Sequence, residues 1–407
     1  MNRRFLNRRP DLNYARTRST FWAFIVCAAL LCLFDSTDAT AQLPPTVSSA
    51  TEVSLLTVYP GEPTYSAWGH SALRFVDPET GLDAAFNYGT FDITVPYFIP
   101  RFAYGDMLYQ LSVDPTSALF RGADYQKRSV VEQVLALDST QVAGVYALLL
   151  ENLKPENRLY QYDFVFDNCS TRLLDLLFSV DGIVLPSTGP YDSTIREMLD
   201  EFVHDRALLD LGIDLVIGSR LDVIPTLRER TFLPTYLMDV LDESYTMAGE
   251  PIVKEKRMVL EFDSLHVSRA LPWTFWVNLA WVALVLAWWR GASSLPTWFD
   301  RWLLGIVGFM GLFLLGMWFL TLHHVTAANW NIAWALPTHL VFSLFWKRFS
   351  FKRAYFRWAG IWTVGIAIFS VFQPQHIPEA MWPLVVLLIL RLLALSIPPH
   401  ENALDSN

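Results

Sequence analysis

The stretch YQYDFVFDNCSTRLLDLLF, residues 160–178, changes its periodicity halfway along. YQYDFVF is aromatic and β-branched and reads as a strand. STRLLDLLF carries Leu173, Leu174, Leu177 and Phe178 at helical spacing. Asp167 or Asn168 is a natural N-cap between the two. Cys169 then falls in the first helical turn, where exposed backbone N–H groups and the helix dipole favour a thiolate. The bland reading of the same position is a small buried side chain. Strands are also expected in TEVSLLTVYPG, LDAAFNYG, DMLYQLSV and SVVEQVLAL, and helices in STQVAGVYALLLENL (Ser139 as its cap), DSTIREMLDEFV and PTYLMDVLDES. PIVKEKRMVLEF reads as a closing strand. The expected class is an α+β domain, a mostly antiparallel sheet with the Cys169 helix packed on it.

Outside this domain the composition changes. The 407 residues are 53% hydrophobic with 16 Trp, too apolar for one ordinary soluble domain. The net charge of −9 argues against a nucleic-acid partner. Six Arg in residues 3–18 precede the apolar run FWAFIVCAALLCLF and the small residues Ala39 and Ala41. Residues 1–41 therefore read as a signal peptide, and an uncleaved anchor is the alternative. Residues 42–265 read as an exported domain, 266–400 as an α-helical membrane domain, and 401–407 as an inside tail. Five apolar segments are expected, at 271–289, 302–322, 330–346, 358–373 and 380–397. The loops RGASSLPTWFDR and KRFSFKRAYFR are basic, whereas HHVTAANWN and QPQHIPEA contain no Lys or Arg. That asymmetry puts the last two loops on the side of the exported domain and the C-terminus inside. Arg391 is expected to snorkel from the last helix.

Cys27 and Cys32 lie in the signal segment, so Cys169 is the single cysteine of the mature chain. In an exported compartment a lone thiol is inert, cross-linked to another chain, or reactive. A thiolate doing acyl chemistry needs a base in reach. His70 and His204 are the histidines before residue 265. His70 opens an expected strand after Gly69, whereas His204 sits among charges on a surface helix. A metal site built from His323, His324, His339 and His376 is not expected, because His339 falls at mid-span.

YSAWGHSALRF, FNYG and YDFVFDNCSTRLLD together resemble the periplasmic domain of the Lnb-type lipoprotein N-acyltransferases. LHHVTAANWNIAWALPTHL, residues 322–340, is similar to that family's membrane element. The order His then Cys, with the cysteine opening a helix, also resembles permuted papain-like thiol enzymes of the NlpC/P60 and LRAT kinds. The resemblance implies a bacterial inner-membrane, multi-pass enzyme whose catalytic domain faces the periplasm. It implies Cys169 as nucleophile and His70 as base, a phospholipid as acyl donor, a diacylglyceryl-cysteine lipoprotein as acceptor, and no cofactor. Asn168 and Ser170 are candidates for orienting the base or holding the oxyanion. Tyr65, Ser66, Arg172, His323, His324 and Asn329 are candidates for substrate contact. Arg172 has a structural alternative, an ion pair to Asp167 or Asp175, and His323, His324 and Asn329 have interfacial anchoring as theirs. A membrane-anchored thiol hydrolase is the alternative function. Several spans with a polar outer loop exceed what a simple hydrolase needs.

Overall fold

The computed structural model describes residues 43–186, 192–263 and 295–397. The expected signal peptide, the apolar segment 271–289 and the tail 401–407 lie outside the described residues. The strands are β1 (Glu52–Val58), β2 (His70–Asp77), β3 (Leu82–Thr90), β4 (Leu108–Pro115), β5 (Val130–Leu135), β6 (Leu159–Gln161), β7 (Ile183–Val184), β8 (Tyr245–Thr246) and β9 (Val253–Leu260). The main sheet is antiparallel throughout, in the order β6-β4-β3-β2-β1-β5-β9, and β7 pairs with β8 separately. Helices of the exported part are α1 (Phe98–Tyr104), α2 (Thr116–Tyr125), α3 (Ser139–Asn152), α4 (Cys169–Phe178), α5 (Ile195–Asp200), α6 (Ala207–Val216), α7 (Leu227–Arg230) and α8 (Pro234–Asp242).

Alternation along the central strands covers both faces of the sheet. Phe75 and Phe86 meet Tyr146 of α3 on one face, with ring centroids 5.3–6.1 Å apart. Leu56, Ala72 and Ala85 face the other way, under Leu119 and Phe120 of α2. The expected strand YQYDFVF is cut to Leu159–Gln161. Asp163 ends it, because its carboxylate accepts the N–H groups of Val165 and Phe166 at 3.0 and 2.9 Å and folds a local turn. The cap of α3 is Asp138 rather than Ser139; it forms a capping box with Gln141.

The membrane half contains α9 (Thr297–Leu320), α10 (Thr338–Leu344), α11 (Lys352–Ile368) and α12 (Trp382–Ser396). Among the described residues three helices are long and apolar enough to cross a bilayer, Thr297–Leu320, Lys352–Phe372 and Glu379–Ser396. The expected span at 330–346 is not a continuous helix. It is a 3-10 turn at Trp330–Ala333, a break ending at Pro337, and the short α10. Seven residues rise only about 10 Å, against roughly 30 Å of hydrocarbon. This irregular backbone packs on a glycine stripe of α9. A Cβ on Gly308 would stand 2.1 Å from the Leu340 nitrogen, and one on Gly311 would overlap the Ala335 carbonyl. Only glycine permits that approach, which shelters the broken segment from lipid.

Arg391 does not snorkel. It is buried against α9, donating from Nε and Nη2 to the Asp300 carboxylate at 2.7 and 2.9 Å. In this buried place the charge is neutralised by a partner instead of by water.

Breaking that pair leaves one buried charge, so Asp300→Ala is expected to destabilise the chain by roughly 3–5 kcal/mol. Thermal unfolding in detergent checks this. The double variant Asp300→Leu/Arg391→Met should recover most of the loss, and a double variant as unstable as the single one would contradict the account.

Candidate active site

Strand register brings the first two groups together. Leu73 pairs with Phe86, so His70 and Asn87 lie on one face of β2–β3, a diagonal step apart. His70 Nε2 is 3.1 Å from Asn87 Oδ1. The Asn87 amide nitrogen donates to Ala85 O at 3.2 Å and towards Asp114 at 3.4 Å, which fixes the amide's orientation. An amide oxygen can only accept, so Nε2 carries the proton and Nδ1 keeps its lone pair. That lone pair is the acceptor left for the Cys169 thiol, with which the imidazole interacts.

Helix α4 delivers the thiol. Asn168 is its N-cap, with Oδ1 accepting from Ser170 N and Thr171 N at 2.9 and 3.0 Å. Thr171 Oγ1 returns the bond to Asn168 N at 2.9 Å. Such caps stabilise a helix by about 1 kcal/mol. The Asn168 side-chain nitrogen donates to Phe164 O at 2.8 Å and Phe232 O at 2.7 Å. The whole Asn168 amide is therefore spent on structure. It neither orients His70 nor offers a donor to an oxyanion. Asn87 holds the imidazole instead.

Ser170 Oγ lies 3.8 Å from Cys169 Sγ and 3.0 Å from Ser71 Oγ, which ties α4 to β2 beside the thiol. Burial by itself raises the Cys169 pKa. The His70 charge and hydrogen bond, the Ser71 N–H and the Ser170 hydroxyl overcome it and bring the pKa down to about 7. His70 moves the opposite way. Burial works against its charged form, but the thiolate and Asn87 raise its pKa while the Arg128 guanidinium opposes them. Each shift favours the charged form of its own group.

Gly89 lies beside the thiol. Its φ of +85° falls in the left-handed region, beside a register shift between β3 and β4. A Cβ there would stand 3.6 Å from Cys169 Cβ, 3.4 Å from the Tyr162 ring and 3.9 Å from Tyr160 Oη. Tyr160 Oη is buried without a hydrogen-bond partner among the described residues. Burial holds that phenol protonated. Arg172 lies over the Tyr160 ring at 3.5 Å and forks onto Asp167 at 2.6 and 2.7 Å. Its position is thus the structural alternative, and Asp175 pairs with Arg228 instead.

The other expected contact residues spread out. Ser66 is buried and bonds Pro63 O at 2.8 Å. Tyr65 is exposed and accepts from Gln126 at 3.3 Å. Asn329 donates to Leu215 O and Val216 O at 2.7 and 3.0 Å, satisfying carbonyls at the C-terminal end of α6. Gln375 does the same for Ile217 O at 2.8 Å. Asn329 is therefore part of the joint between the outer loops and the exported domain. His323 bonds Phe102 O at 3.0 Å, and His324 approaches Asp163 at 3.5 Å, so both also belong to that joint.

Sequence reasoning missed Asn87, Tyr160 and Arg128. Asn87 stands in FNYG, and strand alternation with His70 was the signal available. Arg128 is buried and bonds Tyr59 O at 2.7 Å, and no spacing links it to His70.

Residues 40–201 match the family model described as the Lnb N-terminal periplasmic domain, and residues 268–399 match the Lnb transmembrane domain. No curated protein and no solved structure matches the chain. With a periplasmic-domain match that contains Cys169, His70 and Asn87, and a transmembrane-domain match that contains the helices beside it, this chain is a membrane protein of the Lnb family.

Proposed function

We propose that the protein is a lipoprotein N-acyltransferase that carries an acyl chain on Cys169 as a thioester. The observation that supports this most is an imidazole held by Asn87 at 3.1 Å and interacting with a thiol whose pKa is depressed to about 7. Family membership supports the acyl chemistry. The joint between the exported domain and the outer loops supports an acyl donor taken from the adjoining leaflet.

In the first half-reaction the Cys169 thiolate attacks the carbonyl carbon of a phospholipid ester. The S–C bond forms, the ester C–O bond breaks, and imidazolium His70 gives its Nδ1 proton to the leaving glycerol oxygen. In the second, the free α-amino group of a diacylglyceryl-cysteine attacks the thioester. An N–C bond forms, the C–S bond breaks, and His70 takes the proton lost by nitrogen. A thioester retains the group-transfer potential to acylate an amine without ATP. Two lipid substrates held in one leaflet meet the thiol without a search through bulk water.

The oxyanion of each tetrahedral intermediate needs donors. The capping box uses the N–H groups of Ser170 and Thr171, and Arg172 N bonds Asn168 O. The Cys169 N–H makes no hydrogen bond among the described residues. Together with the unpartnered Tyr160 hydroxyl it supplies two donors beside Sγ. Arg172 acts by positioning the Tyr160 ring. The broken segment 330–351 serves as one of five crossings. It carries the chain from Asn329, which touches the exported domain, to the basic loop at the far end of α11.

Wild type expressed in a host lacking lipoprotein N-acylation should add one acyl chain to lipoprotein N-terminal peptides, read as intact mass, and Cys169→Ala should add none. Acylation by both would refute the thiol mechanism. Released fatty acid without acylated peptide would make water the acceptor.

Iodoacetamide should alkylate wild-type Cys169 with a half-maximal rate near pH 7. The depressed pKa means that reactivity is lost as pH falls through 7 and saturates above it. In His70→Gln the midpoint should rise towards the ordinary thiol range of about 8.5. An unmoved midpoint would remove His70 from the pair.

Asn87→Ala should lower acyl transfer by roughly 10–100-fold, as loss of an orienting partner does, with a raised thiol midpoint. Asn87→Asp should restore part of the rate, because a carboxylate still accepts from Nε2–H.

A further inference from the structure

Helix α1 buries none of its residues, although its sequence, FIPRFAY, is almost wholly apolar. Tyr97 and Ile99 are 80% and 76% exposed, and Ile93, Phe102 and Tyr104 are exposed beside them. Its one charge, Arg101, is paired locally with Asp106 at 2.9 Å. Tyr97, at the N-cap, holds φ +60°, a backbone that side-chain-bearing residues rarely adopt. An apolar surface of this kind needs a partner.

The level at which α1 sits identifies the partner. Leu322 N donates to Tyr104 O at 2.7 Å, and His323 Nε2 is 3.0 Å from Phe102 O. Gly105, with φ +88°, allows the approach, since a Cβ there would stand 2.9 Å from His323 N. Leu322 lies two residues beyond the end of α9, where Phe319 and Leu320 are also exposed. The apolar face of α1 thus continues the lipid-facing surface of a membrane span.

From α1 a line of rings leads to the thiol. Phe102 meets Phe98 at 6.2 Å, Phe98 meets Phe91 at 5.8 Å, Phe91 meets Tyr109 at 5.0 Å, and Tyr109 stacks on Tyr162 at 4.4 Å. Tyr162 and Cys169 both lie against Gly89. A cavity of about 300 Å³ lies beside the outer part of this line, walled by Phe98, Phe102 and Tyr109 together with Arg101, Asp106 and Arg158.

We propose that residues 91–104 insert into the outer leaflet, and that the rings from Phe102 to Tyr162 are the track along which a phospholipid acyl ester reaches Cys169. The track rests on the acyltransferase reading; the insertion does not. Aromatic and aliphatic side chains at a headgroup boundary bind by burying apolar area in the acyl region. Rings spaced 4–6 Å apart give an acyl chain apolar contact throughout its path to the thiol.

The full chain with Cys27→Ser, Cys32→Ser and Cys169→Ala is labelled with bimane at Ile99→Cys. A second sample is labelled at Glu79→Cys, in the exposed β2–β3 turn at the opposite end of the sheet from Leu260. Both are reconstituted in phosphatidylethanolamine/phosphatidylglycerol vesicles containing doxyl-labelled phospholipid. Strong quenching at position 99 and little at position 79 is expected, and equal quenching at both overturns the insertion. In the unlabelled chain, Ile99→Asp should lower acyl transfer from vesicles by about tenfold or more, the order of effect of burying one Ile side chain. The rate of iodoacetamide alkylation at Cys169 is the control for an intact fold. Unchanged transfer overturns the track. A wild-type chain that transfers no acyl group sinks the acyltransferase reading while the quenching still decides the insertion.

Discussion

The Asn168 amide is the interaction on which the site depends. Its oxygen closes the first turn of α4, and its nitrogen holds the carbonyls of Phe164 and Phe232. One side chain thus joins the turn before the helix, the helix itself and the segment ahead of α8. The start of α4 cannot slide or rotate without breaking four hydrogen bonds in a buried place, where each unmade bond carries a desolvation cost of about 1–3 kcal/mol. Cys169 follows immediately, so its position is set by the cap. The cap also decides which first-turn amides are occupied and which one remains.

Buried polar groups around the thiol work in the same cooperative way. His70 is useful only in one tautomer, and Asn87 selects it through an oxygen that can accept but not donate. Arg128 weakens the imidazolium, and the thiolate strengthens it by more. Tyr160 and Tyr162 wall the thiol with aromatic surface. Low local polarity makes the thiol and imidazole sensitive to each neighbour.

The membrane half meets the exported half through backbone carbonyls. Leu215, Val216 and Ile217, at the end of α6, are satisfied by Asn329 and Gln375 from two different outer loops. Gly218 allows the contact, since a Cβ there would overlap the Ala327 carbonyl. A helix end that would otherwise need water is closed by the membrane domain. Within the membrane half the same economy appears as a glycine stripe under a broken segment and as the Arg391–Asp300 pair.

Local sequence determined much of this. Period and cap chemistry placed Cys169 at the start of α4 and His70 at the start of β2, because both signals act within a few residues. Loop charge gave a consistent sidedness to the membrane half, because Lys and Arg are costly to translocate. Other features required tertiary structure. Asn87 becomes the partner of His70 through strand register, and Tyr160 reaches the thiol through a short edge strand stopped by Asp163. Asn329 looked like a contact for substrate because a polar loop residue near a membrane has no sequence mark for what it caps. The broken span was hidden for the same reason: its hydropathy matches a helix, and only the opposing glycines of α9 make an interrupted backbone stable there. Nearest-neighbour chemistry is written in the chain, whereas hydrogen-bond partners distant in sequence are chosen by packing.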